Sequence, residues 1–180
     1  MFDFSKNYFE LFGTPVGFVV DTAELANRYR ELQKVVHPDR FAAAGEQSQR
    51  LSLQSATMVN EAYETLKDPL KRAQYLLALN GYDNDKQQTL DDPAFLMQQM
   101  ELRETLEDIP SSSDPYAAID KLMREIVQLI KTQVAQLAVQ FEEASSESLD
   151  AAAKTVQKMQ FLNKLHAEAE AVEADLEETY

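Results

Sequence analysis

The sequence predicts an all-α protein with a small N-terminal helical domain followed by a C-terminal helical bundle. Apolar residues recur at spacings of three and four along most of the 180 residues. The four Gly and six Pro fall in a few clusters between these runs. The one run with strand character, Phe18-Val19-Val20, is too short for a strand. We expect domains over residues 1–80 and 94–180, joined by a linker over 81–93.

The first long helix is defined by both of its ends. Asp21 is a predicted N-cap with Glu24 three residues later, and Pro38 ends the run because proline cannot continue a helix. Between them, one apolar line recurs at helical spacing: Leu25, Tyr29, Leu32 and Val36. The pattern is typical of an amphipathic helix of about four turns.

Two further helices complete the predicted N-terminal domain. One runs from Glu46 to about Lys67 and is broken by Asp68-Pro69. A shorter, mostly apolar one runs from Leu70 to Leu79, and Asn80-Gly81 supplies its stop signal.

The second half predicts three antiparallel helices. They are separated by the short loops Pro110–Pro115 and Ala144–Ser148, and loops of this length join antiparallel neighbours. The first of these helices follows Asp92-Pro93. Its bundle-facing stripe is predicted to consist of Phe95, Leu102, Leu106 and Ile109.

Composition excludes several classes of function. Without Cys the chain has no disulfide, no thiolate nucleophile and no Cys-ligated zinc or iron–sulfur cluster of its own. The net charge is -14, of which residues 81–180 carry -13, with eight Lys+Arg against 21 Asp+Glu. Such a charge disfavours nucleic acid and anionic membranes as partners. With no basic leader and no apolar run of roughly 20 residues, we expect a cytoplasmic protein. We also expect it to bind no cofactor.

His37-Pro38-Asp39 lies in the loop between the two longest helices of the first domain. Proline fixes its own φ, so the imidazole and the carboxylate are presented in a defined relation, as in a recognition loop. An enzyme would use His37 as a base oriented by Asp39, but no nucleophile is nearby and the other histidine is the distant His166, expected to be solvated. In the simplest interpretation, His37 only ends a helix and Asp39 caps the next turn.

The residues around this loop resemble a J-domain over roughly residues 7 to 80. The resemblance is carried by the loop, by Asn60-Glu61-Ala62-Tyr63-Glu64-Thr65-Leu66, by the Asp68-Pro69 stop and by Lys71-Arg72-Ala73-Gln74-Tyr75. It implies a helical hairpin with short helices that binds an ATP-loaded DnaK-type chaperone and stimulates its ATPase. The implied chaperone-binding residues are His37, Pro38, Asp39, Arg30, Lys34 and Arg40. On the helical wheel, Arg30 and Lys34 lie about 140° and 180° from the apolar line.

The whole chain resembles the HscB (Hsc20-type) family of iron–sulfur co-chaperones, chiefly in Ala94–Glu104 and Lys158–Leu165. The resemblance implies a non-enzymatic adaptor. Its bundle would bind the scaffold IscU and present it to the specialised chaperone HscA, for cluster transfer to apoproteins. The implied scaffold-binding residues are Leu96, Met97, Met100, Glu101, Arg103, Glu104, Asp108 and Phe161.

Helical periodicity tests this surface independently. Met97 and Met100 lie opposite the apolar stripe, among acidic side chains, where an adaptable apolar pair favours a partner-binding surface. The alternative is that the two methionines pack against another helix or against the J-domain. Phe161 shares a face with Leu165 and Ala169, so periodicity places it in the core and not on a contact surface.

The sequence is also compatible with two other functions. A general J-domain co-chaperone for unfolded polypeptides would need a broad apolar groove, whereas this sequence offers a compact surface of methionine and acid. A purely structural helical interaction protein would leave His37-Pro38-Asp39 without a role.

Overall fold

The computed structural model describes residues 3–37, 45–82 and 92–178. Within these ranges the chain forms helices and no strand, which confirms the predicted all-α class. The helices are α1 (Tyr8–Phe12), α2 (Thr22–Val36), α3 (Glu46–Lys67), α4 (Pro69–Leu79), α5 (Pro93–Asp108), α6 (Pro115–Glu143) and α7 (Ser146–Glu178). A 3₁₀ turn, Ile109–Ser111, follows α5. None of the described helices is long and apolar enough to cross a membrane.

The chain divides into two compact units, an N-terminal unit over Met1–Tyr82 and a C-terminal unit over Asp83–Tyr180. The linker expected over residues 81–93 falls mostly on residues 83–91, outside the described part of the chain. The domain limits 1–80 and 94–180 therefore stay predictions.

In the N-terminal unit, α2 and α3 form the predicted hairpin. Asp21 caps α2 by accepting hydrogen bonds from the backbone N–H groups of Ala23 and Glu24. Of the predicted apolar line, Leu25 and Val36 are buried, while Tyr29 and Leu32 are partly buried. The ring of Tyr29 stacks on Tyr63 of α3 with centroids 4.1 Å apart. The hairpin is therefore closed by side chains whose spacing is visible in the sequence.

Sequence periodicity missed α1, because five residues are too few to show a period. The residues at its two ends do mark the helix in the sequence. Asn7 and Glu10 form a reciprocal capping box, and Gly13 ends the helix with φ 60°. The helix buries Phe9 and Phe12 and is tied to α4, where Tyr75 stacks on Tyr8 at 4.4 Å.

Arg72, part of the basic motif that resembles a J-domain, is buried in the N-terminal unit. Its Nη1 donates to the Leu66 carbonyl at 2.7 Å, and its guanidinium lies 4.9 Å from the Phe18 ring centroid. Burial lowers the pKa of Arg72. Arg72 therefore joins the end of α3 to α4 and the α1–α2 loop and does not contribute to a basic surface.

The C-terminal unit is built on the long α6–α7 hairpin, against which α5 packs. In the turn between α6 and α7, Ala144 adopts the left-handed region, with φ 49°. The core combines three helices: Leu102, Leu106, Ile109, Ile119, Leu122, Ile126, Leu162, Leu165 and Ala169. This confirms the predicted three-helix bundle.

Candidate partner-binding surfaces

The outer face of α2 carries two exposed basic side chains at the predicted positions. Arg30 and Lys34 are both exposed, one helical turn apart. Arg30 donates to Asn27 Oδ1 on the same helix. Arg28, closer to the buried edge, forms an ion pair with Glu24 at 2.9 Å. The structure therefore brings Arg30 and Lys34 together on one solvent-facing surface, and their role in binding stays a prediction.

His37 follows the last residue of α2 and is exposed. Its backbone, at φ -59° and ψ 127°, has left the helical region, so the chain turns away from the helix axis at this residue. Pro38, Asp39 and Arg40, the remaining predicted chaperone-binding residues, lie outside the described residues.

A polar cluster fixes α2 on α3 beside the basic surface. The Tyr29 hydroxyl donates to Asn60 Oδ1 at 2.9 Å, and Gln33 Nε2 donates to the Tyr29 hydroxyl at 3.1 Å and to Asn60 Oδ1. The two bonds to Asn60 join side chains that lie 27 and 31 residues apart in sequence. Periodicity could place Tyr29 on the buried line but could not reveal the Asn60 partner, which depends on the hairpin register.

The two faces of α5 differ in burial as the sequence predicts. Phe95, Leu102 and Leu106 are buried against the bundle. On the opposite face, Met97 is 64% and Met100 is 71% exposed. Such exposure contradicts the alternative in which the two methionines pack against another helix of the C-terminal unit. Two large apolar side chains are therefore exposed to solvent and do not contribute to the packed core of the bundle.

Charged side chains surround the two methionines. The acidic residues Glu101, Glu104 and Asp108 are exposed on the same helix, and Leu96 is exposed beside Met97. We call the exposed set on α5 the methionine–acid surface, comprising Leu96, Met97, Met100, Glu101, Arg103, Glu104 and Asp108. Its apolar centre and charged rim match the anatomy of protein interfaces.

Phe161 lies at the boundary between core and surface. Its ring is partly buried against the bundle core and meets Phe95 edge-on, with centroids 5.8 Å apart. Arg103 of the methionine–acid surface places its guanidinium 5.5 Å from the Phe161 ring centroid and also contacts Glu168 at 3.4 Å. The periodicity-based placement of Phe161 on the core stripe is confirmed, and its role as a contact residue stays a prediction.

The N-terminus of α5 is fixed by an ion pair. Asp92 accepts a hydrogen bond from the Phe95 N–H at 3.0 Å and another from Lys158 Nζ of α7 at 2.6 Å. The hydrogen bond from Lys158, together with that from the Phe95 backbone, lowers the pKa of Asp92 below its usual value. The pair ties the start of α5, the helix that carries the methionine–acid surface, to α7.

No group of three or more metal-ligating side chains occurs among the residues that the structure describes. His166, expected to be solvated, is only partly exposed, and its Nδ1 lies 3.5 Å from Glu170 Oε1 on the next turn of α7. His166 is therefore less exposed than a fully solvated side chain, because the α7 face that carries it borders the bundle core.

Comparisons with known proteins agree with both units. Residues 7–75 match the DnaJ domain family, and residues 91–170 match the family described as HSCB C-terminal oligomerisation domain. The co-chaperone protein HscB homolog of Shewanella amazonensis is 48% identical over 168 residues, covering 93% of this chain and 97% of that protein. The corresponding homolog of Vibrio cholerae is also 48% identical, over 94% of this chain and 98% of that protein.

Solved structures show the same likeness. Chaperone HscB from Vibrio cholerae superposes with a TM-score of 0.85 at 44% identity and covers 95% of this chain and 99% of that one. The human co-chaperone protein HscB superposes with a TM-score of 0.84 at 29% identity, covering 95% of this chain and 84% of that one.

Proposed function

This chain belongs to the HscB family of J-domain co-chaperones, and from that premise we propose that it is a two-part adaptor. The J-domain stimulates the ATPase of a DnaK-type chaperone, HscA. The C-terminal bundle binds the scaffold IscU and delivers it for cluster transfer to apoproteins. The protein acts in the cytoplasm.

The family membership establishes the general part of this role. Members are co-chaperones of iron–sulfur cluster assembly, and a J-domain regulates a chaperone ATPase without catalysing a reaction itself. The protein is therefore not an enzyme, and ATP is hydrolysed by its partner. The iron–sulfur cluster is the cargo of the scaffold and is not a cofactor of this chain.

The chaperone-binding side of the proposal uses the end of α2 and the loop that follows. His37 supplies an exposed imidazole at the helix terminus, and Arg30 and Lys34 supply positive charge on the adjacent outer face. Such a surface complements an acidic one on the chaperone. Pro38, Asp39 and Arg40 are included from the sequence motif alone.

The scaffold-binding side rests on one observation, the exposure of Met97 and Met100 on a helix whose opposite face is buried. Methionine side chains adapt to an irregular partner, and the surrounding carboxylates would steer a basic partner towards them. Arg103 adds a cation that is already oriented by the ring of Phe161. The proposed surface is therefore the methionine–acid surface, extended to Phe161.

Steady-state ATP hydrolysis by HscA tests both halves together. We expect this protein and IscU to stimulate hydrolysis modestly when added separately and synergistically when added together. His37→Gln removes stimulation with and without IscU, because the loop acts on the chaperone. The double variant Met97→Ala, Met100→Ala retains stimulation by the J-domain and loses the synergy, because only scaffold delivery is impaired.

The outcomes separate this adaptor from the other candidate functions. Stimulation that does not respond to IscU would indicate a general co-chaperone for unfolded polypeptides. Absence of any stimulation would contradict the J-domain half and leave a structural interaction protein. Thermal unfolding of each variant, expected to match the wild type, excludes loss of folding as the cause.

A further inference from the structure

The carboxyl end of α2 is tied to α3 by a buried hydrogen bond. Ser52 Oγ, in the second turn of α3, donates to the Val36 carbonyl oxygen at 2.8 Å. Both residues are buried, with exposures of 4% and 3%. The last four carbonyls of a helix have no partner within it, and a buried carbonyl requires a donor. Ser52 supplies that donor from the neighbouring helix.

The Val36 carbonyl that Ser52 binds belongs to the peptide unit between Val36 and His37. Because a peptide unit is planar, the Val36 carbonyl carbon and oxygen share a plane with the nitrogen and Cα of His37. A hydrogen bond that orients the oxygen therefore also orients the bond along which the chain leaves α2. The backbone of His37 is not helical, so the hydrogen-bond pattern of α2 does not determine the direction in which the chain continues from His37.

The surroundings make this anchor rigid. Val36 packs in a small cluster with Ala56 and Val59 of α3, both buried. In a close-packed interior, side chains and the backbone that carries them have little room to shift. Apolar packing fixes the distance between the helix end and α3, and the Ser52 hydroxyl adds the directional contact that fixes rotation of the peptide.

We propose that Ser52 is a positioning residue for chaperone stimulation, acting through the Val36 carbonyl to set the direction in which His37 is presented. The inference rests on the proposed function of His37 at the chaperone. It assigns Ser52 no contact with the chaperone, since its side chain is buried. Loss of the hydroxyl lowers the efficiency of stimulation and leaves the binding surface of α2 in place.

Ser55 provides a matched control one turn further along α3. It is also 4% exposed, and its Oγ also donates to a backbone carbonyl, that of Leu51 at 2.7 Å. That bond lies within α3 and does not reach α2. Ser52→Ala and Ser55→Ala therefore remove the same group at the same burial and differ in whether the contact with α2 is lost.

The test measures ATP hydrolysis by HscA against the concentration of each variant, well below the unfolding temperature of all of them. For Ser52→Ala we expect maximal stimulation to fall about three-fold to ten-fold, with the half-saturating concentration nearly unchanged. Ser52→Cys, which keeps the size and offers a weaker donor, falls between Ser52→Ala and the wild type. Ser55→Ala keeps both parameters. A purely structural effect would reduce the folded fraction and leave stimulation at saturation unchanged.

A second measurement does not involve the chaperone. We expect the NMR chemical shifts of the His37 imidazole to change in Ser52→Ala and to match the wild type in Ser55→Ala. Unchanged His37 signals, or equal loss of stimulation in the two alanine variants, would overturn the proposal. If the wild type fails to stimulate HscA while Ser52→Ala shifts the His37 signals, the proposed function is contradicted and the positioning of His37 by Ser52 is supported.

Discussion

The outer faces of α2 and α5 belong to helices of similar length and similar burial but differ in composition. Each helix packs one apolar stripe into its own unit and turns the other side to solvent. The outer face of α2 presents charged residues such as Arg30, Glu31 and Lys34. The outer face of α5 presents Met97 and Met100 at 64% and 71% exposure.

This difference determines how much each face reveals about function. Charged residues on a solvated face are expected in any globular protein, so the outer face of α2 gains meaning only from His37 at its end. Two exposed methionines in the centre of a helix face are not required for folding. The outer face of α5 therefore indicates a binding role by itself, whereas that of α2 needs the motif.

The sharpest test of this comparison sets the two faces of α5 against each other. Leu102→Ala empties a buried position and should lower the free energy of unfolding of the C-terminal unit by about 2–5 kcal/mol. Met100→Ala removes an exposed side chain and should change it by less than about 0.5 kcal/mol. Urea unfolding followed by NMR reads the two units separately. An equal loss for the two variants would place Met100 in the core.

Phe161 tests the boundary between the two faces. Phe161→Ala removes an edge-on ring contact with Phe95 and the ring beneath Arg103, so the C-terminal unit should lose about 2 kcal/mol, less than for a fully buried ring. Phe161→Leu keeps most of the apolar volume and should recover most of this stability.

Scaffold affinity of the leucine variant then decides the role of Phe161. A contact residue loses affinity in Phe161→Leu although the unit is stable, and a core residue does not. The structure supports the core part of the role and leaves the contact part to this measurement.

The inner faces could be predicted from the sequence and the tertiary contacts could not. The stripe of Phe95, Leu102, Leu106 and Ile109 appears in the sequence as periodicity and is buried in the structure. Local hydrogen bonds such as the Asp21 cap follow from residue type and position. The contacts of Ser52 with Val36 and of Tyr29 with Asn60 join residues 16 and 31 positions apart. They depend on the register between α2 and α3, which periodicity does not define.

The middle helix of the bundle shows the limit of periodicity within one element. The three-four spacing of Tyr116, Ile119, Met123 and Ile126 predicts one inward line along α6. Tyr116 is nevertheless 43% exposed, and its hydroxyl donates to the Leu176 carbonyl of α7 at 2.9 Å. Leu122, outside that line, is buried. A 29-residue helix rotates its inward face along the bundle, so one line of residues does not describe it.

Charge reversal on the outer face of α2 tests whether Arg30 and Lys34 contribute to chaperone binding. Arg30→Glu with Lys34→Glu should raise the half-stimulating concentration for the chaperone roughly five-fold to ten-fold, because exposed charges steer association and contribute modestly each. The effect should shrink at high salt. Lys67→Glu with Lys71→Glu makes the same change in net charge on exposed residues of the same unit outside α2. Equal effects would mean that only net charge matters.

The smallest expected effect concerns the ion pair that anchors α5. The pKa of Asp92 is lowered by its hydrogen bonds with Lys158 and the Phe95 N–H, so Asp92 stabilises the folded state above its unfolded pKa of 3.8. This contribution is lost as the pH falls through the lower pKa of the folded state. Asp92→Asn keeps an N-cap acceptor but removes the charge. The variant should therefore unfold at a slightly lower temperature at pH 7, with the difference shrinking below about pH 4.

Asp114 allows a control for the capping contribution of Asp92. It caps α6 by accepting from the Ala117 N–H at 3.0 Å and has no ion pair within the described ranges. Asp114→Asn should therefore lower the unfolding temperature at pH 7 less than Asp92→Asn does. If the difference between wild type and Asp92→Asn stayed constant from pH 7 to pH 3, the charge of Asp92 would not contribute to stability. The methionine–acid surface would then be oriented by the packing of Phe95 and Leu102 alone, and its position would be insensitive to the pair with Lys158.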